Sequence, residues 1–332
     1  MKKFFALCSA LILTAALFVS CSKKEAAAID DHGCYMDIYE AIVDAKKENK
    51  NILVIITTEG EDYSSEAFID QVVDTEKFDA EIESKFIVCH MDFSEATYNR
   101  TVALETFTEE EKKAADRYAE MFQSNYQYAS MLRCEYTPSL FLLTKEGYGV
   151  SPVDYEDEAF QIDSLVELIA SYDAQMEEAN KMVAAATDKK AAPLDQVRAI
   201  DALYKYIRDE YEPFLAELGI KIPELDKNNE TGLCSPYIIM AAEDEIIGFV
   251  YNSDFTSIVQ KYMELAQNPY LTEEDRMNCY FDAAYFLSIS GAASDREVLY
   301  YLQQGLAINP ESPAAERIIE AIDVFSNPQA FE

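Results

Sequence analysis

The chain contains no tryptophan, only 2 histidines and only 9 glycines among its 332 residues. Glycine averages about 7% of globular sequences, so a turn-rich β-sandwich or barrel is disfavoured and helices should dominate. Cations are also scarce, with 27 Lys and Arg against 62 Asp and Glu and a formal charge of −35. So acidic a surface repels phosphate backbones, which excludes nucleic acid and leaves basic or neutral partners. None of the 7 cysteines stands in a C-x-x-C spacing, and His32 and His90 are the only histidines. A structural zinc site needs four N/S ligands, usually in close pairs, so no metal is expected. Neither G-x-G-x-x-G nor G-x-x-x-x-G-K occurs, nucleotide binding has no support, and no cofactor is expected.

What is present begins with a leader. Lys2 and Lys3 precede the apolar run Phe4 to Val19, broken by Ser9 and Thr14, and residues 1–20 read as a secretory signal. The boundary Phe18-Val19-Ser20-Cys21 resembles a bacterial lipobox, although Phe18 departs from the leucine usual there. The resemblance implies a lipoprotein anchored in the cell envelope through Cys21, with residues 21–32 as a lipidated tether. Several acyl chains on one cysteine would hold it firmly, since each buried methylene adds about 0.8 kcal/mol. Ser22 stands where an aspartate often signals inner-membrane retention, which points to the periplasmic or outer-membrane side. The alternative is an ordinary secretory signal with an incidental cysteine. Past the leader no apolar run approaches the roughly 18 residues a membrane span needs.

With 49% hydrophobic residues the chain can bury a sizeable core and is long enough for about two domains. Met36–Lys50 carries Ile38, Ile42 and Ala45 on one face, an amphipathic helix. Ile52-Leu53-Val54-Ile55-Ile56-Thr57 is a continuous β-branched run of the kind buried in a parallel sheet. A helix with Phe68, Ile69, Val72 and Val73 inward comes next, then a second buried strand over residues 86–93. Thr108-Glu109-Glu110-Glu111 has capping-box spacing and opens a long helix to about Met131. Residues 139–143 form a third strand, Lys145-Glu146-Gly147 a hairpin turn, 148–153 a fourth strand and 162–172 a helix. The expected order is α-β-α-β-α-β-β-α.

This order, with Thr137-Pro138-Ser139-Leu140-Phe141-Leu142 opening the third strand, resembles the secreted thioredoxin-like family over about residues 33–173. The resemblance implies a central mixed sheet flanked by helices, and a cis proline facing the active site. The family places Trp-Cys-x-x-Cys after the first core strand. In the same frame Glu61 stands at the tryptophan, Asp62 and Ser65 at the two cysteines, and Tyr63 and Ser64 between them. Asp62 can satisfy the helix N-terminus as an N-cap, but disulfide exchange needs thiolate attack and neither side chain supplies sulfur. The resemblance also implies a groove for extended polypeptide at Thr137 and Pro138, where Tyr63 and Tyr136 add aromatic contact area. Glu59, Glu61, Asp62 and Glu66 could hold a hard cation, but in so acidic a chain a solvated face is the simpler reading.

Five cysteines remain beyond the leader and Cys21: Cys34, Cys89, Cys134, Cys234 and Cys279. An odd number leaves at least one unpaired within the chain. Cys89 and Cys134 read as core positions, and Cys34, just before the first helix, as the thiol best placed for exposure. The sequons Asn99-Arg100-Thr101 and Asn229-Glu230-Thr231 read as chance.

Residues 174–195 read as a helical linker ending in Lys189-Lys190-Ala191-Ala192-Pro193, and residues 196–332 as an all-α domain of helix hairpins. Leu-Ala-Gln-Asn-Pro ending at Pro269 and Leu-Ala-Ile-Asn-Pro ending at Pro310 resemble a degenerate tetratricopeptide repeat. Their spacing exceeds the usual period of about 34 residues, and a plain helical bundle fits equally well. The function expected is non-catalytic: recognition or scaffolding of envelope proteins or peptides. The alternatives are a thiol–disulfide oxidoreductase using Cys34 and a surface ligand-binding lipoprotein.

Overall fold

The computed structural model describes residues 27–155, 160–207, 209–291 and 293–326. The leader, Cys21 and the first part of the tether lie outside the described residues. The chain divides into two compact units. Within the described residues, one comprises 27–185 with 202–215 and the other 186–201 with 216–326.

The first unit is built on a four-stranded sheet in the order β2-β1-β3-β4. Its strands are β1 (Asn51–Thr57), β2 (Phe86–Asp92), β3 (Ser139–Leu143) and β4 (Gly149–Pro152). β1 pairs parallel with β2 from Asn51↔Phe86 to Thr57↔Asp92 and antiparallel with β3 from Ile52↔Leu143 to Ile56↔Ser139. β4 closes the far side, antiparallel to β3. A central strand covered on both faces must be apolar on both, and Ile52 to Ile56 are all at most 1% exposed. Leu53 and Ile55 join one core cluster with Phe68, Phe78, Val88 and Leu142, while the alternate residues face the side on which α1 packs.

α1 (Ile38–Glu48) is capped by Asp37, whose carboxylate accepts from the Tyr39 N–H (2.7 Å), and ends at Asn49 with φ of 57°. α2 (Tyr63–Phe68) runs into a π-helical turn, Ile69–Val73. α3 (Glu76–Phe78) does the same over Asp79–Glu83. α4 (Glu95–Asn99) follows β2. α5 (Glu109–Met131) opens on the expected capping box between Thr108 and Glu111, and α6 (Ile162–Ser171) and α7 (Asp173–Ala186) complete the series. The expected elements occur in the expected order, with α4 as an unexpected addition between β2 and α5, and the boundaries of β3 coincide. The β3–β4 turn needs Gly147: its φ is +93°, and a Cβ there would lie 2.5 Å from Ile42 Cδ1 and 2.8 Å from the Tyr128 hydroxyl. Phe214, from the 3₁₀ segment Asp209–Leu215, packs its ring 5.4 Å from that of Tyr128.

Residues 27–36 form an arm along the outer edge of β2. Tyr35 N–H donates to the Val88 carbonyl (3.0 Å) and His90 N–H to the Tyr35 carbonyl (2.8 Å). An open strand edge is thereby covered.

The second unit is helical. α8 (Pro193–Tyr206) begins in it, and α9 (Ala216–Gly219) and α10 (Ile222–Leu225) are short. α11 (Cys234–Tyr251), α12 (Phe255–Ala266), α13 (Glu273–Ile289), α14 (Asp295–Ile308) and α15 (Ala315–Ser326) each pack on the next. Tyr262 and Phe286 stack at 5.9 Å in one cluster, and Met277, Val298, Leu302 and Ile318 build another. Gly305 marks a close approach, since a Cβ there would sit 3.0 Å from the Tyr280 Cβ. Among the described residues, no helix is long and apolar enough to cross a membrane.

Candidate functional site

The site lies at the C-terminal end of β1, where the strand turns into α2. Asp62 has extended backbone and caps α2, accepting from the Ser64 N–H (3.1 Å) and Ser65 N–H (3.0 Å). The Ser65 hydroxyl donates to the same carboxylate (2.7 Å) and accepts from the Thr58 N–H (3.2 Å). Burial raises the Asp62 carboxyl, but hydrogen bonds from the Ser65 hydroxyl, the two backbone N–H groups and the Thr137 hydroxyl hold it below the usual carboxylate range. An ionised N-cap also meets the positive end of the helix dipole. Ser65 is 0% exposed. Its hydroxyl proton is directed to Asp62, so the pair acts as a cap on the first turn of α2.

Beside the cap lies the Thr137–Pro138 peptide, which is cis. Thr137 Oγ1 is 3.0 Å from Thr58 Oγ1, so the structure brings Asp62, Ser65, Thr58 and Thr137 together. Tyr63 and Tyr136 flank this contact with their rings in solvent, 81% and 68% exposed. On the Tyr136 side a cleft of about 180 Å³ opens, lined among others by Cys134, Tyr136, Phe141, Val153 and Tyr211.

Two cysteine expectations need correction. Cys34 is only 1% exposed, because the pairing of Tyr35 with Cys89 draws the arm against β2. Burial and the Asp30 carboxylate push its thiol far above the usual range, away from the thiolate that exchange requires. Cys134 is half-buried rather than core. Its S–H donates to the Tyr136 carbonyl (3.3 Å), and burial raises it despite hydrogen bonds with Ser139 and Tyr136. Cys89 is fully buried, and burial likewise lifts its thiol.

The acidic residues of the turn are engaged locally. Glu61 accepts the Glu95 N–H at the start of α4, and the Glu59 N–H donates to Asp92 (2.9 Å). Asp92 also accepts from the hydroxyls of Ser94 and Thr97, both at 2.5 Å. Among the described residues, no three His, Cys, Asp or Glu side chains are arranged to hold a metal ion.

Sequence reasoning missed a histidine cluster behind the site. His90 Nδ1 lies 2.7 Å from Asp30 Oδ2 and its Nε2 2.7 Å from the Thr57 hydroxyl. The carboxylate can only accept, so Nδ1 carries the proton towards it. His32 Nδ1 contacts Asp74 at 2.7 Å and its Nε2 lies 3.4 Å from Glu59. Burial lowers His32, but Asp74, Asp30 and Glu59 together raise it above its usual value. Burial raises Asp30, while His90, the Cys34 N–H and His32 carry it below its usual value. The signal in the sequence was that the only two histidines flank the first helix and first strand, but nothing local announces that they meet.

Comparison with known proteins agrees with this architecture. Residues 38–154 match the thioredoxin-like domain family. They form a thioredoxin-like domain. Residues 233–330 match a family described as an uncharacterised protein C-terminal domain. An uncharacterized protein of Treponema pallidum (strain Nichols) is 26% identical over 157 residues, 47% of this chain and 51% of its own length. The chain thus spans about half the length of that curated relative. A solved structure titled DsbH Oxidoreductase aligns with 47% of this chain and 92% of its own, at 15% identity and a TM-score of 0.31. The thioredoxin-like domain here lacks sulfur at the mouth of α2, where Asp62 and Ser65 stand.

Proposed function

We propose that this protein uses a thioredoxin-like domain for binding, without dithiol chemistry. The observation that carries the reading is the hydrogen-bonded Asp62–Ser65 pair at the α2 N-terminus. A carboxylate there meets the electrostatic demand of the helix end, and a buried hydroxyl fills the remaining space. Both groups are spent on each other. What stays accessible is recognition surface: Tyr63, Tyr136 and the cis Thr137–Pro138 segment. Tyrosines supply large, rigid contact area with little entropy to lose.

The substrate class we propose is an extended segment of another envelope protein or peptide. The protein would be held at the membrane by lipid on Cys21, on the periplasmic or outer-membrane side, with the helical second unit adding surface for scaffolding. Helical arrays of the tetratricopeptide kind present concave faces suited to that role.

Cross-linking in cells followed by co-purification tests the proposal. The wild-type chain should capture a defined set of envelope proteins, and the double variant Tyr63→Ala, Tyr136→Ala should lose them. Unchanged capture by the variant would remove this surface from the account.

A further inference from the structure

A second aromatic surface adjoins the site through α4 and α5. Phe93, the residue after β2, packs edge-to-face against Phe122 (5.3 Å) and Tyr126 (6.2 Å), and Tyr98 packs against Phe122 (5.8 Å). Tyr98 and Tyr126 are nevertheless 53% and 62% exposed. The loop after α4 adds Val102 and Leu104, also exposed. Tyr118, Phe122 and Tyr126 recur at intervals of four, which places them in one stripe along α5. Packed aromatic rings left this open to solvent are the kind of surface that marks an interaction site.

Two observations indicate the chemistry of the occupant. First, the stripe already accepts a guanidinium within the chain: the Arg100 guanidinium carbon sits 5.5 Å from the centre of the Tyr118 ring. Second, the surroundings are acidic. No Lys or Arg occurs between Lys50 and Lys77, a stretch that includes Glu59, Glu61, Asp62 and Glu66. That stretch is hydrogen-bonded to the aromatic surface, through Glu61 to the Glu95 N–H and through Phe93 N–H to the Thr57 carbonyl (2.9 Å). Ring faces beside carboxylates attract a planar cation that can stack and donate at once.

We infer that the ledge formed by Tyr98, Phe122 and Tyr126 docks an arginine-bearing extended segment of a partner protein. The guanidinium planes lie on the exposed rings, and their positive charge meets the acidic field of the neighbouring β1–α2 stretch. This surface is separate from Tyr63 and Tyr136 and does not depend on the binding role proposed for them.

The test uses the purified full chain and a fluorescein-labelled decapeptide of alternating Arg and Ser, with its Lys counterpart as a charge-matched probe. Anisotropy is read at about 0.15 M salt, where long-range attraction is screened beyond about 8 Å. The Arg peptide should bind more tightly than the Lys peptide. Tyr98→Ser with Tyr126→Ser should weaken Arg-peptide binding about tenfold, as expected for losing two cation–π contacts. Tyr98→Phe with Tyr126→Phe keeps the rings and should restore it. Equal affinity for the two peptides, or equal affinity in wild type and the serine variant, would show bulk charge attraction only and overturn the inference.

Discussion

At the level of single residues, Asp62 places negative charge at the open end of α2, where it caps the Ser64 and Ser65 N–H groups. Replacing it by alanine should cost about 0.5–2 kcal/mol, the usual range for a lost N-cap. Asn should retain most of that, and chemical denaturation of the three proteins measures both effects. The carboxyl sits below its usual value of 3.8, so its contribution is present above that pH and fades as pH falls through the lower folded-state value. Gly147 offers an independent check of the packing. Gly147→Ala forces a side chain into left-handed backbone against Ile42 and Tyr128, and should lower stability by about 1–3 kcal/mol in a urea melt. Asp62 was legible in the sequence because N-capping is local. The burial of Cys34 was not, because it follows from the pairing of Tyr35 with Cys89, more than fifty residues away in sequence.

Among the elements, those with a strong periodic or capping signal were the readable ones. β3 is a closed apolar run, and α5 starts where Thr108 and Glu111 cap each other. The π-helical turns over Ile69–Val73 and Asp79–Glu83 carry no distinctive side-chain pattern, so the sequence shows only continuing helix there. The arm over residues 27–36 has a pH dependence of its own. His32 is raised above its usual 6.5, so its pairing with Asp74 stabilises fully below that pH and is lost as pH rises through the higher folded-state value. Asp30 is lowered below its usual 3.8, so its contribution holds above that pH and is lost as pH falls through the lower value. The arm should therefore dock most firmly between these limits and loosen as the solution becomes alkaline. Hydrogen-exchange protection of the Tyr35 and His90 backbone N–H groups, compared at about pH 6 and pH 8.5, reports this directly. Protection that stays constant, or that rises towards pH 8.5, would contradict it. His32→Gln should flatten the dependence.

For the whole molecule, the thioredoxin-like domain was legible as an order of elements, since hydrophobic period and chain punctuation define a βαβ–αββα series even in a sequence without a C-x-x-C spacing. The helical unit was legible only as helices. Its turn motifs at Pro269 and Pro310 are alike, but a close approach such as Gly305 against Tyr280 depends on how helices meet and leaves no local trace. The charge of −35 acts at this scale too: capture of cationic partners should fall steeply as ionic strength rises, read by repeating the co-purification in increasing salt. The central claim, that the domain binds and does not exchange disulfides, is tested most directly by insulin reduction with dithiothreitol as electron donor, alongside a count of free thiols after oxidant and after reductant. The account predicts precipitation of insulin at the uncatalysed rate and the same thiol count under both conditions. Accelerated reduction, together with two thiols that disappear and return in step with turnover, would contradict it.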